Sequence, residues 1–311
     1  MPLESLNDRI NIRHLTLDQP RHQNPNPVAE LFEELSKRVW LRLEQSLVFD
    51  VSQGEETITD INLLDMKIAG LNEIKLWKCP KSREPELGID WWWLIGNDQV
   101  GWRSYMVQAK KLDLHTGLYR NLNHRVGKRT QIEVLEKEAA RWCAQPLFCF
   151  YNYVDVRRLA LMRYLHCPSE PSEMPQLGCT VTPLWLVKSI VKKRSRPTER
   201  TFDYIHKQTN TIPWRCLVRC QHAAAAYSDP NNAPPECNAS VVYETYSDFP
   251  EEVRQRFGGY GSEVDPSNMI DSGAPISFAP KRIAIIQTER IEEEPSSLSQ
   301  ERHQLPEARQ F

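Results

Sequence analysis

No stretch of about 18 consecutive apolar residues occurs in this sequence, so nothing in it reads as a membrane-spanning helix. The opening residues, MPLESLNDRINIRHLTLDQPRHQNPNP, also lack the apolar core of a secretion signal, and the expected location is cytoplasmic. An excess of charge of one sign is missing too. The formal net charge of -2 excludes a uniformly basic nucleic-acid coat protein and makes any contact with nucleic acid a local matter. A disulfide framework is equally absent from the pattern: Cys79, Cys143, Cys149, Cys167, Cys179, Cys216, Cys220 and Cys237 are scattered, several inside apolar runs, as reduced core residues are. Cys216 and Cys220 have no second pair at metal spacing, so CLVRC fits a core strand more easily than a zinc site completed by Cys179 or His222. No internal repeat is visible.

What is present is enough to fold. A length of 311 residues suffices for one large domain or two modest ones, and 40% hydrophobic content can fill a core. Residues 1–26 are polar and punctuated by proline, which predicts a flexible arm. From Pro27 to Leu47 the apolar residues Leu31, Leu35, Val39, Leu43 and Leu47 recur at four-residue steps, predicting an amphipathic helix. A second helix is expected over TITDINLLDMKIAGL, with Thr57 and Asp60 as a capping box, Glu55 and Glu56 at its start and an end near Gly70. EIKLWKC reads as a strand, RTQIEVLEKEAARWCAQ as a helix and PLFCFYNYV as a buried strand. Beyond these come expected helices at RRLALMRYL and TPLWLVKSIVKKR and a strand-like PWRCLVRC. We expect residues 156–248 to form a C-terminal extension packed on the core and residues 249–311 to be a largely irregular or disordered tail.

The stretch LGIDWWWLIGNDQVGWRSYMVQAKK carries the chemistry. DWWWLI and RSYMVQA are rich in aromatic and branched residues and flank GNDQVG, a natural hairpin connection. With the turn centred on Gln99, Asp90 lies opposite Gln108 and Gly88 opposite Lys110. Period-two alternation places Gln108 and Lys110 on one face, so Asp90, Gln108 and Lys110 cluster at one place on the sheet. A carboxylate, an amide oxygen and a lysine so arranged suit phosphodiester hydrolysis. Asp90 would hold Mg²⁺ or Mn²⁺, Lys110 would stabilise developing negative charge or orient water, and Glu56 or Glu55 would complete the metal shell. The plainer reading, with no metal, is that Asp90 caps a turn or forms an ion pair with Lys110 at a strand edge. The WWW run reads as packing, with Trp92 on the Asp90 side. In YRNLNHRVGKR, Arg125, Lys128 and Arg129, with Arg120 and His124, suit phosphate-backbone contacts as well as they suit a solvated loop, and the same holds for KSIVKKRSRPTER.

These residues resemble the PD-(D/E)XK, or restriction-endonuclease-like, nuclease superfamily. GID with Asp90 and QAK with Gln108 and Lys110, preceded by a helix bearing Glu56 and followed by the RTQIEVL helix, look like its glutamine-containing branches, over roughly residues 28 to 155. The resemblance implies an α/β fold with a restriction-endonuclease-like core over residues 27–155: helix, mixed β-sheet with a central hairpin, helix, strand. It implies a metal-dependent nuclease acting on DNA in bacterial defence against foreign DNA. Asp90, Gln108, Lys110 and Glu56 would be catalytic, with Asp90, Gln108 and Glu56 on the metal. A second copy of the chain or a defence-system protein are the further partners it brings into view. Two departures count against cutting. The second acid is a glutamine, whose neutral carbonyl is a weaker cation ligand, and the superfamily contains inactive members. The alternative is therefore a catalytically silent relative that binds nucleic acid or a partner protein.

Overall fold

A helix opens where proline allows one and an asparagine caps it. In the computed structural model, which describes residues 26–79, 89–155, 173–192, 197–219, 241–257 and 280–288, α1 spans Pro27–Val48. The Asn26 side chain accepts from Ala29 N at 2.8 Å. The buried stripe is Val28, Phe32, Leu35, Val39 and Leu43, while Leu47 is exposed. Strict four-residue steps drift around a helix by about 40° each, so the ends of the expected stripe rotate off the core. α2 spans Glu55–Ala69 and stops at Gly70, whose φ of 61° suits a glycine. Gly54 is its N-cap, with no side-chain cap. The expected Thr57–Asp60 capping box is therefore corrected: the helix begins before Thr57, and Asp60 pairs with Lys78 and Arg282.

The strands are β1 (Ile74–Lys78), β2 (Trp91–Asn97), β3 (Gly101–Asp113), β4 (Leu118–Tyr119), β5 (Arg125–Val126), β6 (Arg129–Thr130), β7 (Gln145–Tyr151), β8 (Cys179–Pro183), β9 (Ile212–Pro213) and β10 (Arg282–Gln287). The main sheet runs β1-β10-β2-β3-β7-β8-β9, with β4 beside the end of β3, and β5 and β6 form a separate small hairpin. β2 and β3 are antiparallel, while β10 lies parallel to β2 and β7 parallel to β3. The remaining helices are α3 (Gln131–Arg141), α4 (Leu184–Lys192), α5 (Phe202–His206), α6 (Cys216–Arg219) and α7 (Glu251–Phe257). Alternation along the strands splits the core. Trp91, Trp93, Tyr105, Val107 and Ala109 pack with α1, α2 and α6, whereas Trp92, Leu94, Met106 and Ile283 pack with α3, α4, α5 and α7. The architecture is α/β, an open mixed sheet with helices on both faces. Among the described residues, no helix is long and apolar enough to cross a membrane.

Three expectations about the C-terminal half change. The tail expected over residues 249–311 supplies α7 and, through β10, a central strand. The expected extension is continuous with the core, because β8 pairs with β7 along five residues. PWRCLVRC is not a strand: after β9 it turns into α6, since Trp214, Cys216, Leu217 and Val218 are all buried against one core and do not alternate between two faces. The arm at residues 1–25, the helix at RRLALMRYL and the last part of the tail lie outside the described residues.

Gly178 closes the turn before β8 against α1. A Cβ there would collide with the Ser36 carbonyl oxygen and come within 2.9 Å of Trp40 N. Gly178→Ala is expected to lower stability by about 1–3 kcal/mol, because rigid helix backbone is what must yield. A drop in the urea midpoint at unchanged slope checks this.

Candidate active site

The hairpin register carries Asp90 to its partner. β2 and β3 pair with Trp91 opposite Val107 and Asn97 opposite Gly101, so Asp90, one residue before β2, faces Gln108 as the turn residues implied. Gln108 donates its amide N–H to Asp90 Oδ2, and Ala109 N donates to the same oxygen at 2.8 Å. Gln108 is buried, and the Asp90 side chain keeps 16% exposure. Burial pushes the Asp90 carboxyl above its ordinary value of 3.8, against the Ala109 hydrogen bond and the charges of Lys281, Lys110 and Arg282.

Lys110, two residues beyond Gln108, is 3% exposed, and its Nζ lies 3.5 Å from Glu55 Oε2. Lys111 N donates to Glu55 Oε1 at 3.1 Å, and Lys111 Nζ donates to Gln53 O at 2.6 Å, which ties the start of α2 to β3. Glu55 is the first residue of α2, where a carboxylate is favoured by the helix dipole. The helical acid that reaches the site is thus Glu55. Glu56, expected among the catalytic and metal residues, is exposed, because one step along a helix turns a side chain by about 100°. A strand-edge ion pair between Asp90 and Lys110 is also not what forms, since Lys110 turns to Glu55. Beside Glu55 opens a cleft of about 210 Å³ bordered by Ser52, Lys111, Asp113 and Arg120.

Arg125, Lys128 and Arg129 are exposed on the β5–β6 hairpin, a two-stranded sheet of its own. That hairpin leads into α3, capped by Thr130 and Glu133. All three tryptophans of the WWW run are buried, Trp92 included, so they pack and do not line a groove. Cys216 opens a helical turn, and Cys220 and His222 lie outside the described residues.

β10 brings residues to the site that reading the sequence missed. Arg282 is fully buried; its Nε donates to Asp60 Oδ1 at 3.0 Å and its Nη1 to Asp90 O at 3.4 Å. Burial pushes Asp60 up, but hydrogen bonds from Lys78 and Arg282 hold it below its ordinary range. Lys281 Nζ lies 3.9 Å from Asp90 Oδ1. A signal for these residues existed. KRIAIIQT is an apolar run with charge at one edge, the pattern that also marks Asp90 and the QAKK end of β3.

Among the described residues, no three His, Cys, Asp or Glu side chains stand together as a ready metal cage. A hard cation such as Mg²⁺ asks for less, since one or two carboxylates with other oxygen donors and water suffice. Asp90, the Gln108 amide oxygen and Glu55 meet that lower demand, and a buried carboxylate raised by desolvation gains from a cation. The residues therefore fit such an ion. A protein-family model described as a family of unknown function (DUF6615) matches residues 28–305. No curated protein and no solved structure matches the chain.

Proposed function

The chain belongs to DUF6615, a family of unknown function, and from the chemistry of the site we propose that it is a metal-dependent nuclease hydrolysing DNA phosphodiester bonds. The observation that carries this reading is the convergence of Asp90, Gln108, Lys110 and Glu55, from three separate elements, at one end of the sheet. Lys110 is held almost fully buried by a single Glu55 contact of 3.5 Å, and a buried ammonium is costly to keep for a purely structural purpose. The order helix, strand, hairpin, helix, strand around them supports a restriction-endonuclease-like core, with the departure that β10 lies between β1 and β2.

Held by Asp90, the Gln108 amide oxygen and Glu55, a Mg²⁺ or Mn²⁺ ion would act as a Lewis acid toward a phosphate oxygen. Asp90 directs Oδ2 to Gln108 and Ala109 N, which fixes the carboxylate plane and leaves Oδ1 to face the approaching ligand. Lys110 places a donor where negative charge develops on the phosphate, and Glu55 orients its ammonium from the start of α2. Arg125, Lys128 and Arg129 on the exposed hairpin would contact backbone phosphates away from the cut, without reading sequence. A setting in defence against foreign DNA belongs to the same proposal.

One observation favours a catalytically silent binder: Asp90 Oδ2 is already satisfied by two donors, and the second acid is Gln108. The test is incubation of the purified chain with supercoiled plasmid, linear DNA and RNA in Mg²⁺ or Mn²⁺. Nicking of DNA that EDTA abolishes is the expected result. Salt-sensitive DNA binding by folded protein with no cutting in either metal would overturn the nuclease reading in favour of the silent binder.

A further inference from the structure

β10 puts a second lysine in the row of the site. Its parallel pairing with β2 sets Ile283 beside Trp92, and the bridge between Ile89 and Pro280 continues the same register, so Lys281 lies directly beside Asp90. Residues level on neighbouring strands project from one face. Lys281, Asp90 and Gln108 therefore stand side by side, Lys281 and Asp90 one residue before β10 and β2 and Gln108 on β3. The lysine's backbone is pinned on both sides: Lys281 N donates to Ile89 O at 2.7 Å, and Cys79 N donates to Lys281 O at 2.8 Å.

The side chain is less committed than the backbone. Its Nζ lies 3.9 Å from Asp90 Oδ1, beyond hydrogen-bond distance, whereas Lys78 meets Asp60 at 2.7 Å nearby. Its side chain keeps 22% exposure. Oδ1 is the oxygen that Gln108 and Ala109 leave open. Any phosphate drawn to that oxygen through a shared cation comes within reach of Lys281.

We infer that Lys281 is a substrate-binding residue of this site: its ammonium binds a phosphate oxygen of the nucleic acid strand, on the opposite side of Asp90 from Gln108. Arg282 is the positioning residue beside it. By bridging Asp60 of α2 to the Asp90 carbonyl oxygen, it locks β10 and β2 in the register that places Lys281. The inference rests on the nuclease reading and names a contact to the substrate that this reading did not include.

The experiment uses the full chain and compares wild type, Lys281→Met and Lys281→Arg in three measurements: melting temperature, kcat and KM for plasmid cutting, and the salt dependence of DNA binding. Met keeps most of the apolar stem and removes the charge. Lys281→Met is expected to raise KM about 30-fold, as loss of one charge-assisted hydrogen bond does, with a smaller change in kcat. The slope of log affinity against log salt should fall by about 0.9, the value of one phosphate contact. Lys281→Arg should restore most of both. Unchanged KM and slope in a Lys281→Met protein that still cuts would overturn this inference alone, leaving the nuclease reading intact. A fall in melting temperature with unchanged salt slope would assign Lys281 a structural ion pair and also overturn it. Failure of the wild type to cut in either metal would overturn the nuclease reading, and the inference with it.

Discussion

Asp90→Asn is expected to abolish metal-dependent cutting and, in EDTA at neutral pH, to raise the melting temperature. The sign follows from the direction of the titration. Burial raises the folded Asp90 above its ordinary value of 3.8, so the native state holds this proton more tightly than the unfolded chain does. Its contribution to stability is then fully present below the unfolded value and is lost as pH rises through the folded one. Above the unfolded value the group is a net cost. Asparagine keeps a carbonyl oxygen for Ala109 N and removes that charge. Each kcal/mol recovered moves the melting temperature of a mid-sized domain by about 2–4 °C. A structural ion pair with Lys281 or Arg282 predicts the reverse, a lower melting temperature. Added Mg²⁺ should stabilise wild type and not the variant, because only a native state that binds a ligand gains from it. Cutting should fall by at least about 10²–10³, the usual effect of removing a group that acts on developing charge. Stability rising as activity disappears is the signature of a residue kept for function.

Deletion of residues 280–311 is expected to leave no folded protein. β10 separates β1 from β2, so its loss removes five paired positions on each side and leaves a gap in the middle of the sheet. Ile283 and Ile285 fill one core, and Ala284 and Ile286 the other. Truncating a buried isoleucine to alanine costs about 2–5 kcal/mol. Three such losses are comparable to the whole stability of an ordinary domain, about 5–15 kcal/mol. Arg282 would also leave Asp60 without its buried partner. Circular dichroism and denaturant titration of the truncated chain check this, and a cooperative transition like that of wild type would show that the sheet closes without β10.

These two outcomes bear on what could be read in the chain beforehand. Asp90, Gln108 and Lys110 were legible together because a hairpin is local: the turn residues set the register, and the register sets who faces whom. The acid from α2 was harder. Glu55 and Glu56 are chemically equal in the sequence, and only the position where the helix starts, after Gly54, turns the first toward Lys110. The Thr57–Asp60 pattern pointed to a later start, because a capping pattern is indistinguishable from a favourable helix interior until the partners of Asp60 are known. Those partners, Lys78 and Arg282, lie on other strands.

The sequence by itself determined the amphipathic α1, the β2–β3 hairpin with its register, and the row in which Asp90 meets Gln108. Each rests on a backbone period or a turn preference acting over a few residues, where the chain has little choice. The tertiary structure alone decided that Glu55 and not Glu56 faces the site, and that β10 inserts beside β2 and sets Lys281 against Asp90. Strand order is settled by which unpaired edge a distant segment can reach with its apolar residues divided correctly between two cores. Ile283 and Ile286 meet that demand only once both cores exist.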